Sequence, residues 1–106
     1  MKKRDPKIPD VPNDPSLRDL VQRAQRIGRD PDQPDIKIET IAMQCNISRA
    51  HLFDMMAGKP DPAAVKMWTV HRLSRGLDVP QEVIREALAK SRKQGKRKRR
   101  KAELLD

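Results

Sequence analysis

The sequence predicts an all-α protein of five helices. Three observations carry this expectation. Apolar residues recur at intervals of three and four along several stretches, the spacing of one helix face. Proline, glycine and aspartate cluster between those stretches and act as breaks. No run alternates apolar and polar residues as a half-buried strand does.

Each element can be justified in turn. Pro6, Pro9, Pro12 and Pro15 recur every third residue, which places them on one face of a polyproline II helix. Residues 1–15 therefore read as a flexible, Pro-rich arm: a stiff solvated spacer, or a docking element for a protein groove. The first helix begins after Ser16, which has Asp19 three residues later as a capping-box partner. Leu17, Leu20, Val21, Ala24 and Ile27 form its apolar stripe, and Gly28 is its stop. Residues 29–35, with two prolines and three aspartates, read as a loop. A second helix is expected over Ile38–Cys45. A third runs over Arg49–Ala57, capped by Ser48 and ended by Gly58. A fourth covers Ala63–Leu77, with Met67, Val70, Leu73, Ser74 and Leu77 inward. A fifth starts near Pro80 and carries Val83, Ile84, Ala87 and Leu88. Beyond Lys90 the pattern dissolves, and residues 90–106 read as a disordered basic tail. The folded domain is thus expected over residues 16–89.

Charge adds a partner class. The 106 residues hold 24 Lys and Arg against 15 Asp and Glu, a net of +9. Residues 90–106 carry nine basic and two acidic residues, so most of the excess is in the tail. Such an excess suits a polyanion. Cys45 is the only cysteine, which excludes an internal disulfide framework. No apolar run approaches the ~20 residues of a membrane span, and the N-terminus lacks the apolar stretch of a secretory signal. A cytoplasmic, nucleoid-associated protein with no membrane partner is expected. No Gly-rich phosphate loop, nucleophile–base pair or metal-ligand cluster is present, so neither enzyme chemistry, cofactor nor metal is expected.

The informative stretch is Ile38 to Met55. Two short helices that cross closely need a small residue at the crossing, and Ala42 supplies it. The turn needs a residue that tolerates a left-handed backbone, and Asn46 is the best after glycine. Ile47 plugs the turn and Ser48 caps the next helix. Ile41, Cys45, Leu52 and Met55 point inward.

With Ala42, Asn46, Ile47 and Ser48 in these places, followed by Gly58, Lys59 and Pro60, the chain resembles the lambda repressor-like (XRE/Cro type) helix-turn-helix domains. Leu73 to Val79 is similar to the end of that family's fourth helix. The resemblance covers residues 16–89. It departs from the pattern at Asn46, where the family has glycine, at Lys37, where it has a Ser or Thr cap, and in a longer first loop.

The resemblance implies a transcription regulator of bacterial or phage type. Its recognition helix, near residues 48–57, would lie in the major groove of double-stranded DNA. Arg49 is the candidate for a bidentate contact to guanine, or else for a phosphate contact. Ala50 and Phe53 could pack on thymine methyls, and Asp54 could accept from cytosine N4 or hold Arg49 or His51. Ser48 caps this helix, His51 could donate to a phosphate, and Lys37 and Lys59 flank the motif where the family touches the backbone. In the tail, Arg92, Lys93, Lys96, Arg97, Lys98, Arg99, Arg100 and Lys101 are candidate phosphate contacts. Trp68, Ile84 and Leu88 exceed what a small core needs and are candidates for a homodimer interface. Two alternatives stay open. One is an antitoxin-like module that docks a protein partner through the Pro-rich arm or the C-terminal end. The other is an architectural protein acting through the tail alone; the scarcity of aromatics argues against base-stacking RNA platforms.

Overall fold

A computed structural model describes the backbone of residues 9–104 and the side chains of residues 9–95. Five α-helices and one short 3₁₀ turn make up the regular structure, with no strand among the described residues. No helix there is long and apolar enough to cross a membrane.

Helix α1, Leu17–Arg26, begins at the full capping box: Asp19 N donates to Ser16 Oγ (3.2 Å) and Ser16 N to Asp19 Oδ2 (3.0 Å). Two of the four orphan donors around a helix start are satisfied this way. Leu17, Leu20, Val21 and Ala24 are buried. The loop after it is anchored. Gln25 exchanges hydrogen bonds with Ile36 (2.9 Å each), and the Arg26 guanidinium donates to the Asp30 and Gln33 carbonyls and to Asp35.

Helices α2, Ile38–Gln44, and α3, Arg49–Met56, follow with only Cys45 to Ser48 between them. Asn46 adopts the left-handed backbone at φ +54°, Ile47 packs half-buried on the core, and His51 N donates to Ser48 Oγ (3.1 Å). Lys37 precedes α2 with no side-chain cap.

The fourth element departs from expectation. Instead of one helix from Ala63, a 3₁₀ turn over Pro62–Ala64 is followed by extended Val65 and then α4, Met67–Leu77. Asp61 caps the short turn through Ala63 N (3.0 Å). Pro62 and this cap close a separate turn, and α4 starts afresh at Met67. Val70, Leu73 and Leu77 are buried as expected and Thr69 joins them, while Met67, expected inward, stands at the first position of α4 and is 69% exposed. Gly76 is the close approach between α2 and α4: a Cβ there would lie 2.7 Å from Cys45 Cα. Asp78 ends α4 in the left-handed conformation, φ +56°.

Helix α5, Gln81–Leu104, corrects two expectations. First, it does not end near Ala89. Ser91 is buried and its hydroxyl accepts from Leu17 N (2.9 Å), an orphan donor of α1. The Arg92 guanidinium donates to Gly58 O (3.2 Å) and Lys59 O, carbonyls just past the end of α3. Gly95 does not break the helix but lets it approach α3, since a Cβ there would meet Ala57 O at 2.6 Å. The packed body thus reaches Gly95. Second, Ile84 (0% exposed) and Leu88 (4%) are core residues of the single chain. Helix α5 packs against α1, α3, α4 and the 3₁₀ turn, and a helix with that many neighbours buries a wider apolar arc than one face requires.

The arm is corrected in part. Arg23 Nε donates to Pro9 O (2.9 Å), Pro15 is buried, and Asp14 pairs with Lys90 on α5. Residues 9–15 thus lie on the helical body. Pro6 and the first basic residues fall outside the described residues.

Candidate nucleic-acid interface

Helix α3 divides cleanly. Leu52 and Met55 are fully buried, while Arg49, Ala50, His51, Phe53 and Asp54 are exposed. Arg49, Ala50, Phe53 and Asp54 stand one and four residues apart, so they share one outer strip of the helix. Four local devices hold the strip in place: left-handed Asn46, the Ile47 plug, the Ser48 cap and the Arg92 contacts beyond its end.

Four of the charged groups around this face form two pairs. Arg49 Nη1 donates to Glu39 Oε1 on α2 at 3.0 Å, and its guanidinium lies 5.3 Å from the centroid of the Phe53 ring. Lys59 Nζ lies 3.3 Å from Asp54 Oδ1. Lys37 is exposed at the start of α2. Three cations and two carboxylates therefore surround the outer strip.

A second feature adjoins the turn. Trp68 is 50% exposed, with the Arg72 guanidinium 4.4 Å and the Lys66 ammonium 5.9 Å from its rings. Arg72 also donates to Asn46 O (3.2 Å), tying α4 to the turn before α3. Of the three residues expected at a dimer surface, Trp68 alone is exposed.

The expected tail contacts divide three ways. Arg92 is committed to the carbonyls after α3 and is removed from the set of free cations. Lys93 is exposed on α5. The side chains of Lys96, Arg97, Lys98, Arg99, Arg100 and Lys101 fall outside the described residues, although their backbone continues α5.

Sequence reasoning did not find Glu39, Arg72 or Arg23. Arg72 follows Trp68 by four residues, a spacing that places the two on one helix face and could have flagged the pair. Glu39 and Arg49 meet only across the folded turn. Arg23 carries Pro9 O and Leu77 O (3.0 Å) together, a contact that no local pattern encodes.

No group of three or more His, Cys, Asp or Glu is placed to hold a metal among the described residues. Burial raises the Cys45 thiol from 9.0 to about 11, so it stays protonated and a poor nucleophile near neutral pH. His71 Nδ1 lies 3.1 Å from the Gln81 amide. Comparison with protein-family models, curated proteins and solved structures gives no match.

Proposed function

We propose that this chain is a lambda repressor-like helix-turn-helix protein, not an enzyme, that binds a specific double-stranded DNA sequence and regulates transcription. One observation carries the reading: α3, capped by Ser48 and met past its end by Arg92, buries Leu52 and Met55 and offers Arg49, Ala50, Phe53 and Asp54 as a continuous outer strip. An α-helix with side chains is about 10–12 Å across, and the major groove of B-DNA is about 12 Å wide. Arg49 at the N-terminal end supplies a fork of donors suited to guanine O6 and N7. Phe53 and Ala50 supply apolar contact for thymine methyls, and Asp54 an acceptor for cytosine N4. Lys37 and Lys59 flank the strip as phosphate contacts. Lys93 and the basic end of α5 add affinity without base preference.

Selection from a random duplex pool tests this. Enrichment of a defined site is expected. Arg49→Ala should then cost about 1–3 kcal/mol on that site and little on random DNA. Absence of any enriched sequence overturns the reading, and equal losses on both DNAs would make Arg49 a phosphate contact instead. The enriched sites also test a two-fold dimer formed through exposed Trp68. Two half-sites about one helical turn apart support it, and a solitary half-site excludes it.

A further inference from the structure

The geometry points to Glu39 as a specificity-determining positioning residue that acts through Arg49. The inference rests on the DNA-binding reading above and names a residue which that reading leaves without a role. Arg49 is held from two sides: the Glu39 carboxylate receives Nη1 at 3.0 Å, and the Phe53 ring lies beneath the guanidinium at 5.3 Å. The Arg49 and Glu39 side chains are each 58% exposed, and an ion pair so exposed contributes little to stability. Its consequence lies in what it does to a ligand.

Two effects follow. The first is orientation. A free arginine side chain samples many rotamers and loses that freedom on binding. A guanidinium already pinned to a carboxylate and a ring loses less, so the gain falls on the one base geometry its remaining donors fit. The second is exclusion. A stray phosphate that approaches Arg49 also approaches Glu39, and the two anions repel. Arg49, the cation of the strip, thus has its charge already answered, which weakens its sequence-blind hold on phosphate and leaves its discrimination to base edges. Specificity is a difference of affinities, and a group that penalises the wrong partner raises it as surely as one that favours the right partner.

Three substitutions separate the two effects. Glu39→Ala removes both, Glu39→Gln keeps an acceptor without the charge, and Glu39→Asp keeps the charge on a stem too short for the same contact. Binding is measured on the selected site and on random duplex at fixed salt, with circular dichroism of each variant. Glu39→Ala is expected to bind random DNA about two- to fivefold tighter through loss of repulsion. It should bind the selected site several-fold more weakly, so that the specificity ratio falls about tenfold. Glu39→Gln should keep the selected-site affinity while gaining on random DNA. Glu39→Asp should do the reverse, losing the site without gaining elsewhere. An unchanged ratio in Glu39→Ala, or equal losses on both DNAs, overturns the inference and leaves the DNA-binding reading standing. A wild-type chain with no preferred site overturns the parent reading, and this inference with it.

Discussion

Helices α3 and α5 are held in opposite ways. Helix α3, eight residues long, buries only Leu52 and Met55 and is fixed from outside by the turn before it, by the Ser48 cap and by Arg92 from the far end of the chain. Helix α5, Gln81–Leu104, buries Ile84, Ala87, Leu88 and Ser91 and anchors itself. Isolated helices shorter than ~12–15 residues are marginal in water, so α3 depends on its supports while its outer face contributes little to holding the fold. A surface that the fold does not use is available to a ligand. Helix α5 also leaves one face exposed, with Glu82, Glu86, Ala89 and Lys93 along it, but its Ser91 and Arg92 finish the ends of α1 and α3.

That contrast can be broken most forcefully at Ile84. Ile84→Glu places an unpaired carboxylate in the core, a change of the class that costs more than about 4 kcal/mol. Loss of the cooperative thermal transition in circular dichroism is expected. A folded variant with an altered sedimentation coefficient would return Ile84 to an intermolecular surface.

The next largest effect separates two truncations. A chain ending at Ala89 loses the Ser91 and Arg92 contacts and should be destabilised by about 2–4 kcal/mol, from two lost hydrogen-bonded supports and the packing beside Gly58. A chain ending at Gly95 should melt like the full chain. It should differ only in a log K versus log salt slope flattened by about 4–5 units, if about five tail charges reach phosphates. Equal melting of the two shorter chains would show that residues 90–95 do not support α3.

A smaller cost is expected in the turn. Asn46→Ala keeps φ positive with a residue that tolerates it poorly, for about 1 kcal/mol. Denaturant melts measure it, and Asn46→Gly should be neutral or better. Smallest of all are the outer-strip changes. Ala50→Ser and His51→Ala should shift stability by less than about 0.5 kcal/mol, and a larger loss in either would show that the strip is part of the fold.

Much of the fold was legible in the residues. The Ser16–Asp19 box, the Asn46 turn, the Ser48 cap and the stop at Gly58 stand where expected. Helices α1, α2 and α3 agree with expectation to within about one residue at either end. The misses share a cause. Met67 shares the spacing of Val70, Leu73 and Leu77 and so reads as inward, but a separate 3₁₀ turn precedes it and leaves it exposed at the first position of α4. Ile84 and Leu88 read as surplus to one helix face, whereas α5 packs against three helices and the 3₁₀ turn and buries both. Ser91 and Arg92 read as part of a disordered basic tail because their neighbours are charged, whereas their partners, Leu17 and Gly58, lie 74 and 34 residues away.

What the amino-acid sequence by itself determined is local: which stretches become helices, where they start and stop, and which residue bends left-handed between α2 and α3. Caps, turns and apolar periodicity act over four residues or fewer, so neighbours along the chain suffice to specify them. Only the tertiary structure decided which faces are spare and which charges are spoken for. The pairing of Arg49 with Glu39, the burial of Ile84 and the capping of α1 and α3 by Ser91 and Arg92 in the middle of α5 depend on how the helices cross. A crossing is settled by the packing of whole side-chain surfaces, which no short stretch of sequence contains.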